Sequence, residues 1–227
     1  MRTLILSDLH LGSPLFCSKN VISSIIKEPY KEIFILGDVI DVWEEKVETI
    51  KKEYRDLINV INERAIDIDI TIVKGNHDPD GYILKDIFPN CIIKTKCAYM
   101  DNGTILIHGN ENDHFIRDFS WVANVFYKLY KCLSRIGINI REPFRDLFYS
   151  IASKRGKNYF NDLVLKVEKE TCDNYKRAYK NIVMGHTHLP KVVIAKDFRY
   201  VNCGDWIHNM SYVIYDEQKD KFILHDN

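Results

Sequence analysis

The chain of 227 residues has no excess of either charge: 32 Lys and Arg balance 32 Asp and Glu. Whole-chain electrostatics therefore give no argument for a stable nucleic-acid complex. None of the six cysteines forms a C-x-x-C pair, which argues against a structural zinc knuckle; their scatter fits reduced thiols rather than a disulfide framework. No stretch approaches about 18–20 uncharged apolar residues, so no membrane span is expected. The opening MRTLILSDLH holds only Leu4–Leu6 as an apolar run before Asp8, too short for a signal peptide. A cytoplasmic protein is expected, with peripheral contact at the inner membrane face left open. Repeats, low-complexity tracts and flexible linkers are absent too. At 46% hydrophobic residues the composition supports a substantial core.

Short apolar runs, each ending at a polar cluster, are what the chain does have. Thr3–Ser7 ends at Asp8, Glu32–Leu36 at Gly37-Asp38, and Ile68–Lys74 at Gly75-Asn76. Thr104–Ile107 ends at His108-Gly109 and Asn181–Met184 at Gly185-His186. Runs of this length bounded by glycine read as buried strands. Helical patterns lie near Lys19–Lys27 and Lys46–Arg64, the second with Val47, Ile50, Tyr54, Leu57, Ile58 and Ile61 on one face. Alternation of strand and helix predicts an α/β sheet covered by helices. The tail from Lys191 alternates short strands with turns, as at Asp216-Glu217 and Lys219-Asp220.

Residues 115–180 differ. They hold 14 Lys and Arg against 7 Asp and Glu, and 13 of the 27 aromatic residues. We read this stretch as a helical insertion, or cap, within a single domain spanning 1–227. Lys154, Arg155 and Lys157 form a cluster that could meet substrate phosphates. Trp121, Phe126, Tyr127 and Tyr130 have the spacing of one helix face, compatible with packing the cap onto the body or with meeting an amphiphilic ligand.

Five blocks carry the chemistry: Asp8-Leu9-His10, Gly37-Asp38-Val39-Ile40-Asp41, Gly75-Asn76-His77-Asp78, His108-Gly109 and Gly185-His186-Thr187-His188. Each stands where a strand is predicted to stop, the usual place for ligand sites in open α/β sheets. In extended chain Asp8 and His10 face one side. The donors are nitrogen and oxygen without thiolate, which suits borderline divalent cations: manganese, iron, zinc, cobalt or magnesium. Two such ions a few Å apart can clamp the attacking and leaving oxygens of a phosphoryl transfer.

In this order the blocks D-x-H, G-D-x-x-D, G-N-H-D, H-G and G-H-x-H resemble the calcineurin-like metallophosphoesterases, over most of the chain. The resemblance implies a four-layer α/β/β/α sandwich and two divalent metal ions, manganese foremost, bridged by a carboxylate and a water or hydroxide that attacks phosphorus. By position, Asp8, His10, Asp38 and His188 look like the ligands of the first metal. Asp38, Asn76, His108 and His186 look like those of the second, with Asp38 shared. His77 resembles the family's outer histidine, which stabilises phosphoryl oxygens or protonates the leaving group. Asp41 and Asp78 are expected to orient neighbouring imidazoles, Asp78 alternatively capping its turn. Asp205 could orient a ligand histidine or the Trp206 loop.

Within the family, Asp8–Gly12, Gly37–Trp43, Gly185–Pro190 and Tyr200–Trp206 look like the bacterial UDP-diacylglucosamine pyrophosphatase branch. That branch implies a nucleotide-diphospho-sugar lipid as substrate, covered by the insertion. The chain departs from it in reading G-N-H-D for G-N-R-D and in placing Asn110 where the branch has aspartate. The alternative within the enzyme class is a phosphodiesterase or phosphatase acting on nucleotides or other small phosphoesters. A nuclease, or a scaffold that kept the fold, follows further behind.

Overall fold

The computed structural model describes residues 1–14, 16, 18–113 and 157–226. Lys154 and Arg155 lie outside the described residues, as do Trp121, Phe126, Tyr127 and Tyr130; of Lys157 only the helical backbone is described. Two compact units result, one of Met1–Asn110 with Cys172–Asn227, the other of Glu111–Thr171.

In the first unit two sheets stack. One contains β1 (Arg2–Leu6), β2 (Glu32–Leu36), β3 (Asp69–Val73), β4 (Ile92–Lys94), β10 (Tyr212–Asp216) and β11 (Lys221–His225), ordered β11-β10-β1-β2-β3-β4. The other contains β5 (Cys97–Met100), β6 (Thr104–Ile107), β7 (Asn181–Met184), β8 (Lys191–Ile194) and β9 (Arg199–Asn202), ordered β5-β6-β7-β9-β8. β1 through β4 run parallel, as do β6, β7 and β9.

Alternation along the strands sorts side chains into layers. Ile5, Phe34, Leu36 and Val73 of the first sheet meet Leu106, Val183 and Val201 of the second in an inner apolar layer. The opposite face, with Leu4, Leu6, Ile33, Ile35, Ile70 and Ile72, is covered by α1 (Lys19–Ile26), α2 (Val47–Glu53), α3 (Arg55–Asp67) and α4 (Gly81–Ile87). Those helices contribute Ile22, Ile25, Ile26, Ile50, Leu57, Ile58, Ile61, Leu84 and Ile87, at three- and four-residue spacings. Ile105, Ile107, Ile182, Met184 and Tyr200 form the outer face of the second sheet, against Cys172 and Tyr175 at the end of α5 (Lys157–Tyr175). The layers are therefore α/β/β/α.

The helix read over Lys46–Arg64 is two helices, because Tyr54 leaves helical geometry at φ −106° and ψ 19°. Its amide still donates to the Ile50 carbonyl (2.9 Å) and its own carbonyl accepts from Ile58 (3.0 Å), so the hydrogen-bond run passes through the break. The ring of Tyr54 is buried against Phe16, 5.6 Å between centroids. The α4, β4 and β5 elements carry no periodic apolar pattern long enough to predict. Among the described residues, no helix is long and apolar enough to cross a membrane.

Leu106, fully buried between the sheets, and Ile194, 74% exposed on edge strand β8, should respond differently to truncation. Leu106→Ala is expected to cost about 2–5 kcal/mol in urea unfolding, and Ile194→Ala within about 0.5 kcal/mol. Equal losses would contradict the layer assignment.

Candidate metal centre

Parallel pairing brings the ends of β1, β2 and β3 together, and pairing continues past the strands. Asp8 N–H donates to the Gly37 carbonyl (3.0 Å), His10 N–H to Asp38 (2.8 Å) and Leu11 N–H to Val39 (2.9 Å). The second sheet joins at the same edge. His108 Nδ1 donates to the Leu36 carbonyl (2.8 Å), His186 N–H to Asp8 Oδ2 (2.9 Å) and Trp206 N–H to the Asp8 carbonyl (3.1 Å). Asp8, Asp38, Asp41 and His108 are thereby almost entirely removed from solvent.

Asp8, His10, Asp38, His186 and His188 all have positive φ, between 49° and 63°. Non-glycine residues rarely adopt this left-handed geometry, although Asp and His tolerate it better than most. The turns need close approach as well. A Cβ at Gly185 would strike Ser7 Oγ and Asp8 Oδ2, and one at Gly75 would strike the Asp38 carboxylate and amide. Only glycine lets these blocks touch.

The side chains converge in two groups. Asp8, His10 and His188 form one, and Asp38, His108 and His186 the other, each with donor atoms close enough to hold a metal ion. Asp8 Oδ1 lies 3.0 Å from His188 Nε2 and 3.8 Å from His10 Nε2. In the second group His108 Nε2 is 3.3 Å from Asp38 Oδ2 and 3.1 Å from Asn76 Oδ1. Asp38 Oδ2 also lies 3.8 Å from His10 Nε2, so one carboxylate reaches both groups.

Donor chemistry favours a cation. His10 Nδ1 is bonded to Asp41 Oδ2 (2.9 Å), His108 Nδ1 to a carbonyl, and His188 Nδ1 faces Asp205 Oδ2 at 3.6 Å. For His10 and His108 an acceptor at Nδ1 fixes a proton there, so Nε2 is the atom that carries either a second proton or a lone pair. His10 Nε2 and His188 Nε2 nonetheless face each other at 3.4 Å, and His108 Nε2 faces the amide oxygen of Asn76, whose Nδ2 finds no partner among the described residues. These crowded Nε2 and oxygen atoms call for positive charge, carried by protons on Nε2 or by a cation in their place.

The titration behaviour has the same cause. Burial alone would raise the Asp8 carboxyl, but the charge of His188 and hydrogen bonds from His10 and His188 hold it well below the usual range. Asp38 and Asp41 are likewise held low against burial, Asp38 chiefly by the charges of His108 and His77, Asp41 by hydrogen bonds from His10 and His77. Burial would lower His10, yet Asp41, Asp8 and Asp38 push it up to about 11; His108 rises to about 10 beside Asp38, and His77 is also raised. Asp78 is pushed up to about 6 by burial and by Asp38. The cluster demands positive charge, which either imidazole protons or divalent cations supply.

Around these groups stand supporting contacts. Asp41 takes His10 Nδ1 on one oxygen and His77 Nδ1 (3.0 Å) on the other. Asp78 binds backbone rather than imidazole, accepting the amides of Ile40 and Gly75 at 2.8 Å each and so tying the second block to the third. Asp205 faces His188 and also accepts the amide of Ile207 (2.7 Å) and the side-chain amide of Asn209 (2.6 Å). Three contributors stand outside the site residues expected from the sequence, although Trp43 closes the Gly37–Trp43 block. Ser7 bonds Asp8 and the Leu36 carbonyl, Asn209 Nδ2 holds the His188 carbonyl (2.9 Å), and Trp43 stacks on His77.

The family model for the calcineurin-like phosphoesterase superfamily domain matches residues 1–220, and the chain belongs to that superfamily. It is an enzyme of phosphoester hydrolysis, in a family that depends on a dinuclear metal centre. The UDP-2,3-diacylglucosamine hydrolase of Psychromonas ingrahamii is 24% identical, over 99% of this chain and 96% of that protein. A solved archaeal phosphodiesterase shares the fold at a TM-score of 0.51 and 17% identity, with both chains fully covered.

The sign of the pH dependence follows. Histidines raised from 6.5 to about 10 and 11 stabilise the metal-free fold fully below about pH 6.5, a contribution lost as pH climbs toward those values. Asp78, raised from 3.8 to about 6, adds a loss over that interval, while the depressed Asp8, Asp38 and Asp41 lose their contribution below their ordinary 3.8. Chelator-treated protein should therefore melt at falling temperature from about pH 6.5 to 9, and Mn²⁺ should raise the melting point more at pH 8 than at pH 6. A metal-free melting point that is flat or rises over that interval would contradict the charge assignment.

Proposed function

We propose that the chain is one catalytic domain with an insertion over about 115–180, hydrolysing a phosphodiester or pyrophosphate bond with two divalent cations, manganese foremost. The observation that carries this reading is the reach of Asp38 Oδ2 to both histidine groups, 3.3 Å from His108 Nε2 and 3.8 Å from His10 Nε2. Asp8, His10, Asp38 and His188 would hold one cation; Asp38, Asn76, His108 and His186 would hold the other. When bound, the pair neutralises phosphoryl charge and lowers the pKa of water near neutral pH. Asp41 holds His10 and His77 by their Nδ1 atoms, and Nε2 of His77 would give a proton to the leaving oxygen.

As substrate we infer a nucleotide-diphospho-sugar lipid of the UDP-2,3-diacylglucosamine class. Its support is the full-length relative that acts on that compound, together with the basic, aromatic stretch 115–180. Lys154, Arg155 and Lys157 are the proposed phosphate contacts there, and that stretch the proposed peripheral contact with a membrane.

Mn²⁺-dependent turnover of bis-p-nitrophenyl phosphate is expected, falling to background in Asp38→Ala and by about 10–100-fold in Asp41→Asn. Absence of metal-dependent turnover across a phosphoester panel would refute the hydrolase reading for this site. Release of UMP from UDP-2,3-diacylglucosamine is expected next; activity confined to small nucleotides or diesters would refute the lipid substrate alone.

A further inference from the structure

Trp43 is 41% exposed, and its indole stacks on the His77 imidazole with centroids 4.2 Å apart and planes 27° apart. A tryptophan kept for packing would be buried, as Trp206 is. The two rings are keyed to one another through one carboxylate oxygen. Asp41 Oδ1 accepts His77 Nδ1 at 3.0 Å and the Trp43 amide at 3.2 Å, while the Val42 amide donates to the His77 carbonyl at 3.2 Å. On its other side His77 touches His10 edge-on, with centroids 4.9 Å apart.

A hydrogen bond at Nδ1 fixes one atom of an imidazole but leaves the ring plane free to swing about it. Torsions of this kind are broad. The indole face removes that freedom. The direction of Nε2 is then set by Trp43, although Trp43 itself needs no contact with substrate.

We propose that Trp43 is a positioning residue that holds the His77 ring plane so that Nε2 meets the leaving oxygen. This rests on the hydrolase reading above. In that reaction phosphorus gains a bond to a water-derived oxygen and loses its bond to the leaving oxygen. The leaving oxygen takes the electron pair and the His77 proton, and the proton released by the water restores His77. Misaligned donors lose rate most where the leaving group needs its proton most.

The test compares bis-p-nitrophenyl phosphate, whose leaving group departs readily as phenolate, with diphenyl phosphate, whose leaving group depends more on protonation. Trp43→Ala is expected to lower kcat about 10-fold on diphenyl phosphate and less than about 3-fold on the nitrophenyl ester, with KM and bound Mn²⁺ unchanged. Trp43→Phe should recover most of the loss, and in a His77→Ala background Trp43→Ala should add nothing. Independently of turnover, the His77 Cε1–H resonance should shift downfield when the indole is removed. Equal loss on both esters, additivity with His77→Ala, or an unmoved resonance would overturn the proposal. Wild-type protein without metal-dependent turnover fails the hydrolase reading and this one with it; active wild type without the Trp43 signatures fails this one alone.

Discussion

Five of the side chains at the metal centre stand on left-handed backbone, and the rest of the structure is arranged to keep them there. Each such residue carries a conformational cost of about 1–2 kcal/mol. It is offset by contacts that cross between the sheets. The Asp8 carbonyl takes the Trp206 amide, the Asp8 carboxylate takes the His186 amide, and the Leu36 carbonyl takes His108 Nδ1. The residues that would bind metal are thus also the ones that join the two sheets at their C-terminal edge. Gly75 and Gly185 allow the contact, since a side chain at either would displace a carboxylate.

Charge links this backbone to chemistry. Asp8, Asp38 and Asp41 are buried together, and burial alone would neutralise them. They stay ionised because imidazoles surround them, and His10 and His108 direct Nε2 inward because Asp41 and the Leu36 carbonyl occupy their Nδ1 atoms. The arrangement suits a cation site built from the outside in, with His10 and His108 oriented by their Nδ1 partners. The same carboxylate that sets His10 also sets His77, which makes Asp41 the link between the candidate metal centre and the proposed proton donor.

Much of this was legible in the sequence. β1, β2, β3, β6 and β7 are short, mainly apolar runs that lead into the Asp, Gly and His blocks, and the sheets need such runs because both faces of each are covered. The four layers followed from the family resemblance rather than from periodicity. Other features left no trace. β4 and β5 are three and four residues long and half exposed, so nothing distinguished them from loop. The break at Tyr54 falls inside an apolar period that continues on both sides of it, with Ile50 before and Leu57, Ile58 and Ile61 after. Left-handed geometry at Asp8, His10 and Asp38 cannot be read from residues that are not glycine, and Trp43 meets His77 from 34 positions away. Asp78 turned toward backbone amides because the second and third blocks leave two donors, Ile40 and Gly75, facing it.

The central claim is that Asp38 joins two cations in one site. Electron paramagnetic resonance of Mn²⁺-loaded protein, read beside metal content by mass spectrometry, tests it most directly. Two manganese ions per chain with an exchange-coupled spectrum, collapsing to uncoupled single-ion signals in Asp38→Ala, is the result predicted. One ion per chain, or two without coupling in the wild type, would contradict it.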